Sequence, residues 1–382
     1  MQQEISPELA EMRQDVRRFA ERALGRFAEA MDRDGEVPDG LLPVLARQGF
    51  LGMRIAEEFG GAAMSLAQYC LVQEEVSRIH PMYAVILASS GGLAPMAIQR
   101  HGTPVQQARY LPLLPRGELR TAFALTEPEA GSDAAAIRTR AVQDGDGWVI
   151  NGIKHFISHV ESAGLVMVMA TTDPAKGARG GITAFVVDRD TPGMRVTRTD
   201  LTMGSPVWKL SEITFTDCRV PGSAVLGEVG RGFGIAVEAL NEGRLSVACL
   251  CLGTAERMHE LAVAHAKTRS TFGAPLADRQ AIQWMLADSA TEIAMARALL
   301  YATIRALEAG EPVGSAASMC KLSCSEMAGR VTDRAVQIFG GSGLVRGLPI
   351  ERAFRDMRLF RIGEGTSEVQ RMVIARDLLR DG

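Results

Sequence analysis

Apolar side chains recur at helical spacing through the first third of the 382-residue chain. Steps of three or four residues place them on one face of an α-helix, as in the series Leu9, Met12, Val16, Phe19, Ala23 and Phe27. Helix starts are indicated where a hydroxyl side chain can cap free backbone amides, at Ser6-Pro7, Ser65 with Gln68, and Thr103-Pro104. The pattern predicts an all-helical domain over residues 1–120.

Short apolar and β-branched runs replace the helical spacing between residues 121 and 230. Such runs are typical of β-strands, for example Trp148 to Ile150, Leu165 to Met169 and Ile182 to Val187. The turn sequence Asp144-Gly145-Asp146-Gly147 favours a hairpin between two strands. We predict a small middle β domain, barrel-like or sandwich-like.

Helical spacing returns after Gly234 in three long stretches, near residues 235–267, 278–309 and 315–339. Helices of this length usually pack against one another as a bundle. We predict a C-terminal four-helix-bundle domain over residues 231–382. The fold class is therefore α+β with three domains in the order α, β, α.

Composition restricts the environment and the partners. The formal net charge of −3 gives no basic surface in bulk, which counts against nucleic acid as a partner. The six cysteines form neither a Cys-x-x-Cys pair nor the framework of a small secreted domain. The start, Met1 to Pro7, lacks a basic region followed by an apolar stretch, and no later segment is a long uninterrupted apolar span. We predict free thiols, a cytoplasmic location and no membrane partner.

Two local patterns suggest ligand sites, but their context argues against them. Gly341, Gly343 and Gly347 follow a helical run, whereas the dinucleotide fingerprint needs a preceding strand and a different glycine spacing. A glycine turn that ends a helix is the simpler interpretation. His155 and His159 stand four residues apart in predicted β structure, with too few neighbouring ligands for zinc. We predict no metal site.

A glutamate stands between two glycines in Ile362-Gly363-Glu364-Gly365-Thr366, where a helical pattern breaks. An isolated glutamate in a loop is usually just solvated. Its interpretation as a catalytic carboxylate depends on the motifs that accompany it.

Five motifs occur together in an order and spacing that resembles the acyl-CoA dehydrogenase family. They are Leu125-Thr126-Glu127-Pro128 with Ala130-Gly131-Ser132-Asp133, Asn151-Gly152-x-Lys154, Arg269-x-Thr271-Phe272-Gly273 with Gln280, Gln337-Ile338-Phe339-Gly340-Gly341-x-Gly343, and Glu364-Gly365-Thr366-Ser367-Glu368-x-Gln370-Arg371. Each motif is weak alone, but the set is specific and spans nearly all of the chain. The resemblance also implies the α–β–α order, because members of that family have two helical domains around a middle β domain.

The resemblance implies an FAD site shared between domains and subunits. The positions that match the flavin side are Phe123, Leu125, Thr126, Gly131, Ser132, Phe156, Ile157 and Ser158. The positions that match the adenine and pyrophosphate part are Arg269, Phe272 and Gln280. The segment expected to reach the FAD of a partner subunit comprises Gln337, Ile338, Phe339, Gly340 and Gly341, and Thr366 and Glu368 complete the site beside the base. A homodimer or homotetramer follows from such sharing.

The family's chemistry forms a trans-2-enoyl-CoA from an acyl-CoA, and Glu364 matches its base. That carboxylate removes the α-proton while the β-hydrogen leaves as hydride to flavin N5. The positions that match substrate contacts are Ser132, Asn241, Arg244 and Arg371, the last at the CoA entrance. Some relatives carry the base on a helix at the position of Gly243, and a glycine cannot serve. The adjacent Glu242 is expected to point elsewhere.

Three positions depart from the family's common pattern. Gly363 replaces a tyrosine before the base, Phe156 replaces a tryptophan beside the flavin, and Asn241 replaces an aspartate near the substrate. The Gly363 departure leaves the choice of acyl group open, since it removes a ring from the pocket wall.

The resemblance implies an electron-transferring flavoprotein as the acceptor. An enoyl-CoA reductase or an acyl-CoA oxidase on the same fold remains an alternative, although oxidases usually carry an added helical domain. A DNA-associated flavoprotein is a remote alternative, because those members carry a basic C-terminal extension and this chain ends at Gly382 with a net charge of −3.

Overall fold

The computed structural model describes residues 6–379, so the expectation about a leader at Met1 to Ile5 lies outside the described residues. The first part of the chain is helical, as predicted, and a π-helical turn, Ala20–Leu24, joins its first two helices. Ser65 with Gln68 and Thr103 with Gln106 form complete capping boxes at two helix starts. The helices are α1 (Pro7–Phe19), α2 (Gly25–Asp34), α3 (Leu41–Arg47), α4 (Leu66–Ser77), α5 (Pro81–Gly91), α6 (Leu93–His101) and α7 (Pro104–Tyr110).

Helices α5 and α6 form the most apolar part of the N-terminal domain. By length and composition alone the stretch Pro81–His101 could cross a membrane, but 72% of its most apolar window is buried inside the fold. Met82, Leu87 and Ile98 are among the side chains buried there. Burial of this kind is typical of core helices.

The middle part is one mixed sheet. Its strands are β1 (Thr121–Ala124), β2 (Arg140–Asp144), β3 (Gly147–Ser158), β4 (Leu165–Thr171), β5 (Ile182–Asp188), β6 (Met194–Leu201), β7 (Lys209–Pro221) and β8 (Val225–Leu226). Strands β2 and β3 pair as the predicted hairpin, with Asp144 opposite Gly147. The hydrogen-bonded order is β6-β7-β3-β2-β4-β5-β8, with β1 beside β4.

A closed barrel is not shown, because β6 and β8 end this order without pairing to each other in the described chain. Strand β4 is instead buried on both faces, since alternate residues of a strand point to opposite sides of the sheet. Leu165 and Met167 pack in a cluster that includes residues of α6, whereas Val166 and Val168 pack in the core on the other face. The helical layer therefore covers one face of the sheet, and side chains of the sheet domain itself fill the core on the other face.

The C-terminal part contains three long helices that begin and end within three residues of the predicted ends. Its elements are α8 (Gly232–Thr268), β9 (Ser270–Thr271), β10 (Ala274–Pro275), α9 (Gln280–Glu308), α10 (Ala316–Phe339), α11 (Pro349–Leu359) and α12 (Ser367–Leu378). Helix α8 is central and approaches α4 closely, because Gly253 has no Cβ, and a Cβ there would lie 1.9 Å from the carbonyl oxygen of Glu74.

Asp32 joins all three parts of the chain. Its carboxylate lies 3.1 Å from His80 Nε2, accepts a hydrogen bond of 3.0 Å from Ser205 Oγ of the sheet domain, and pairs with Arg352 of α11. Asp32 therefore links the N-terminal helices, the sheet domain and the C-terminal helices. The domain boundaries at residues 120 and 230 remain a prediction.

Glu74 of α4 forms a second junction, with α1 and α9, and it is fully buried. Its carboxylate accepts hydrogen bonds of 2.7 Å from both Arg297 and Tyr301, and Arg13 lies 3.4 Å away. Burial opposes ionisation of Glu74, but Arg297 and Arg13 outweigh it and hold its pKa below the ordinary value.

We expect Glu74→Gln to lower the free energy of unfolding by about 3 kcal/mol, because Arg13 and Arg297 would lose a fully buried carboxylate partner and keep only Glu75 and Glu256. Denaturant titration of the variant against the wild type measures the change. Glu57→Gln, at an exposed position, is the control and should leave the transition unchanged. Equal transitions for Glu74→Gln and the wild type would contradict this role.

Candidate active site

A cavity of about 1490 Å³ lies where the three parts of the chain meet. The structure brings twelve of the predicted site residues to its wall: Phe123, Leu125, Thr126, Gly131, Ser132, Phe156, Ile157, Ser158, Asn241, Arg244, Glu364 and Thr366. They come from β1 and the loop after it, β3, α8, and the loop between α11 and α12.

One wall is built from the loop after β1, and a buried lysine holds this loop in place. Lys154 of β3 donates hydrogen bonds to the carbonyl oxygen of Leu125 at 2.9 Å and to Glu127 Oε1 at 2.7 Å. The Glu127 carboxylate also accepts from the backbone amides of Arg138 and Thr139. Burial lowers the pKa of Lys154 to about 8, against the opposing effect of Glu127. Two of the sequence motifs are thus parts of one hydrogen-bonded unit.

An irregularity in β3 turns an aromatic ring toward the cavity. The register of β3 against β7 shifts between Lys154 and Ile157, and Phe156 adopts a φ of +56°. Its ring is 54% exposed and stacks on His155 at 3.9 Å. An exposed aromatic face beside the small and hydroxyl residues of the opposite loop fits a flat, fused ring system such as a flavin.

Glu364 lies in the loop between α11 and α12, in a backbone conformation that favours glycine. Its φ is +56°, and φ of the following Gly365 is +88°. Two side chains hold this loop by donating to its carbonyl oxygens. Gln370 Nε2 lies 3.1 Å from the carbonyl oxygen of Glu364 and 2.9 Å from that of Gly365, and Lys321 Nζ lies 2.7 Å from the latter.

The pKa of the Glu364 carboxyl group lies near neutral pH. Its Oε2 atom is buried without a hydrogen-bond partner among the described residues. Burial raises the pKa of Glu364 to about 7, and the nearby charges of Arg244 and Lys321 oppose this rise. Arg244 is itself buried and donates a hydrogen bond of 2.7 Å to Asn241 Oδ1. A carboxyl group with this pKa in a cavity is suited to proton transfer.

Gly243 of α8 makes room for that carboxyl group. A Cβ at this position would lie 2.8 Å from Glu364 Oε2 and 2.9 Å from Leu93 Cδ2. Glu242 also borders the cavity, but its carboxylate pairs with Arg54 and with Arg100 of the N-terminal helical part. The geometry therefore leaves Glu364 as the carboxyl group beside Gly243.

Gly363 has space for a side chain. A Cβ there would meet Leu359 Cδ2 at 3.4 Å, which is ordinary van der Waals contact, and its φ is not in the left-handed region. The backbone therefore does not require glycine at this position. Gly363 itself lines the cavity next to Glu364.

The other predicted site residues do not line this cavity in the described chain. Exposed side chains of this group are Arg269, Phe272, Gln280, Gln337, Glu368 and Arg371. Gly340 and Gly341 are exposed in the turn after α10, where Phe339 is half-buried and stacks on His265. The Ile338 side chain is 4% exposed and packs in the bundle core, which leaves only its main chain for contact with a ligand.

Sequence reasoning missed several residues around the base. Lys321 and Gln370 hold the loop, and Ala84 and Ala88 of α5 line the cavity. Lys321 could have been found, because it occurs on the apolar stripe of α10 formed by Ala317, Cys324, Ala328 and Val331. A lysine on such a stripe signals a buried charge. The α5 residues look like ordinary core and carry no such signal.

Comparisons with known proteins agree with this architecture along almost the whole chain. Residues 6–118 match the acyl-CoA dehydrogenase N-terminal domain, residues 122–218 the acyl-CoA dehydrogenase middle domain, and residues 230–379 the acyl-CoA dehydrogenase C-terminal domain. Among curated proteins, an acryloyl-CoA reductase (NADH) of Anaerotignum propionicum is 40% identical over 367 residues, which cover 96% of this chain and 93% of the relative.

Solved structures are similar over the same extent. A chain of butyryl-CoA dehydrogenase from Megasphaera elsdenii is 35% identical with a TM-score of 0.93, covering 98% of this chain and 99% of its own. A chain from a structure described as the electron-transferring flavoprotein of Acidaminococcus fermentans is 37% identical with a TM-score of 0.94, covering 99% of both chains. With all three domains matched, the chain belongs to the acyl-CoA dehydrogenase family.

Proposed function

We propose that this protein catalyses the FAD-dependent α,β-dehydrogenation of an acyl-CoA thioester to the trans-2-enoyl-CoA, with Glu364 as the base. The observation that carries this proposal is the buried Glu364 carboxyl group, which has a pKa of about 7 and faces a cavity shared by all three parts of the chain. Family membership and the likeness to a butyryl-CoA dehydrogenase support the reaction.

The residues present fit FAD. The exposed Phe156 ring and the loop from Leu125 to Ser132 supply an aromatic face and small polar groups along one side of the cavity. Bound FAD supplies the acceptor for the hydride that leaves the β-carbon. Glu364 takes the α-proton, and the two electrons of the broken Cα–H bond form the new carbon–carbon double bond.

Neighbouring residues of the chain control the ionisation and position of Glu364. The charge of Arg244 favours the ionised form of Glu364. The hydrogen bond from Arg244 to Asn241 holds the guanidinium group at the cavity wall that is proposed to face the substrate. Gly243 leaves space for the carboxyl group, so that Glu364 can reach the α-carbon of a thioester from the side of α8.

We also propose a homodimer or homotetramer in which Arg269, Phe272, Gln280 and the segment 337–341 contact FAD across or near a subunit interface. Phe272 is 99% exposed, and Trp284 and Leu344 are exposed as well. Exposed apolar side chains of this size favour coverage by another protein surface. Glu368 and Arg371, exposed on α12, are proposed to contact FAD and CoA from the rim of the cavity.

An electron-transferring flavoprotein is the proposed acceptor. The likeness to a chain in the Acidaminococcus fermentans electron-transferring flavoprotein structure supports it. The cytoplasm is the proposed location, and six buried free cysteines are consistent with a reducing compartment.

A second candidate is the reverse reaction, reduction of an enoyl-CoA, because the acryloyl-CoA reductase (NADH) is 40% identical. A carboxyl group with a pKa of about 7 can also deliver the α-proton. Reduction of a dye acceptor by saturated acyl-CoA, compared with oxidation of the reduced enzyme by enoyl-CoA, separates the two directions.

We expect Glu364→Gln to retain FAD but lose about 10²- to 10⁴-fold in the rate of anaerobic flavin bleaching, the usual cost of removing a general base. The assay uses short, branched, aromatic and long acyl-CoA substrates. Glu242→Gln is the matched control, as its carboxylate pairs with arginines, and it should bleach within threefold of the wild type, about 1 kcal/mol at most. The opposite pattern would move the base to Glu242.

The rate of flavin bleaching is expected to rise with pH, with a midpoint near 7, because Glu364 must be ionised to accept a proton and burial raises its pKa to about 7. Arg244→Gln should move this midpoint to higher pH, since the Arg244 charge opposes the rise. Stopped-flow bleaching between pH 5 and 9, a range of about two units on each side of the midpoint, measures both. A flat profile would exclude titration of Glu364 as the controlling step.

We expect Gly243→Ala to slow bleaching by about 10- to 100-fold, because the new Cβ would displace the Glu364 carboxyl group. Gly234→Ala on the same helix is the control, since no described atom lies within 4 Å of a Cβ there. Steady-state rates with FAD-loaded variants measure the difference. Equal rates for the two variants would argue against close packing of Gly243 and Glu364.

A further inference from the structure

Lys321 is a fully buried cation that the reaction described above does not use. It lies on α10, and its Nζ donates a hydrogen bond of 2.7 Å to the carbonyl oxygen of Gly365, the residue after the base. Gln370 already donates to the same oxygen at 2.9 Å. A carbonyl oxygen with a neutral donor in place does not require a second, charged one.

Helix α10 holds the base loop at a second point. Glu326 Oε1 accepts a hydrogen bond of 2.7 Å from Ser367 Oγ, and Glu326 Oε2 lies 3.4 Å from Arg361 Nε. The loop residues 361–367 are therefore tied to α10 on both sides of Glu364. Lys321 supplies the tie that lies nearest in sequence to the base.

Burial of the Lys321 ammonium group is costly, which indicates that its charge has a function. Burial lowers the pKa of Lys321 to about 8, while the facing groups Cys251 and Glu364 raise it, Arg244 lowers it and Glu326 raises it. Lys321 in turn acts on Glu364, because Lys321 and Arg244 both oppose the rise in the pKa of Glu364. Compared with a neutral donor, Lys321 therefore adds a positive charge that favours the ionised form of Glu364.

We propose that Lys321 is a positioning residue for the base: it holds the Glu364 loop through the Gly365 carbonyl oxygen, and its charge favours the ionised carboxylate. This inference rests on the proposed function of Glu364. Lys321 acts without contact to substrate or cofactor, and its effect reaches the reaction through the conformation and ionisation of Glu364.

The test compares Lys321→Met, which is one atom shorter and removes charge and donor, with Lys321→Arg, which keeps the charge. Arg330→Gln, a half-exposed position on the same helix, is the matched control. For Lys321→Met with FAD bound, we expect bleaching to slow by about tenfold or more. The midpoint of its pH profile should rise by about half a pH unit or more. Lys321→Arg should keep the wild-type midpoint.

A second readout does not depend on the reaction. Limited digestion with trypsin should cut after Arg361 several-fold faster in Lys321→Met than in the wild type or Arg330→Gln, because the loop is less firmly held. Mass spectrometry locates the cut. If no acyl-CoA bleaches the wild-type enzyme, the proposed function fails, and the digestion still reports whether Lys321 holds the loop.

Several outcomes would overturn the inference. An unchanged rate and an unchanged pH midpoint in FAD-loaded Lys321→Met would exclude an effect on Glu364. A slower rate without a shift of the midpoint would remove the role of the charge. Where Lys321→Met does not bind FAD, Lys321→Gln takes its place in the same assays, and loss of FAD in all three Lys321 variants would assign the residue to general folding.

Discussion

The burial of one carboxyl group constrains the arrangement around the cavity. Glu364 Oε2 is buried and has no hydrogen-bond partner among the described residues, and the charges of Arg244 and Lys321 favour its ionised form. The loop that carries it has a positive φ at Glu364 itself and at Gly365, and two side-chain donors hold this conformation. A raised pKa disfavours the ionised folded state, so stability is lost as the pH rises above the ordinary carboxyl range toward 7. Reactivity and stability are in opposition at this residue.

Two buried lysines perform the same structural task on opposite sides of the cavity. Lys154 donates to the carbonyl oxygen of Leu125 in the loop that faces the proposed flavin site, and Lys321 donates to that of Gly365 in the base loop. Both have a pKa lowered to about 8 by burial. They differ in their counter-charge. Lys154 forms a direct ion pair with Glu127, whereas Glu364, the proposed base, is the carboxyl group that most raises the pKa of Lys321. The charge of Lys154 is thus balanced by Glu127, and the charge of Lys321 is the one proposed to favour the ionised form of Glu364.

Small residues on α8 allow the three parts of the chain to meet around the site. Gly253 lets α4 pass close to α8, and Gly243 leaves the volume that the Glu364 carboxyl group occupies. The same helix carries Arg244 and Asn241 at the cavity wall. Close packing against α4 and room for the base thus depend on two glycines of one helix, nearly three turns apart. One added methyl group at Gly243 is expected to act on the base, whereas a Cβ at Gly234 meets no described atom within 4 Å.

The sequence by itself determined the order of helical and β parts, the ends of the long helices and the hairpin at Asp144 to Gly147, because these depend on local spacing and turn chemistry. Its resemblance to the acyl-CoA dehydrogenase family also implied that Glu364, Arg244 and Phe156 share one site, and all three line the cavity. Only the tertiary structure decided that the sheet leaves β6 and β8 unpaired in the described chain, that Gly243 faces the carboxyl group, and that Lys321 lies beneath the loop. Those features depend on which surfaces of distant segments are buried together, and burial is what sets the proton affinity of Glu364.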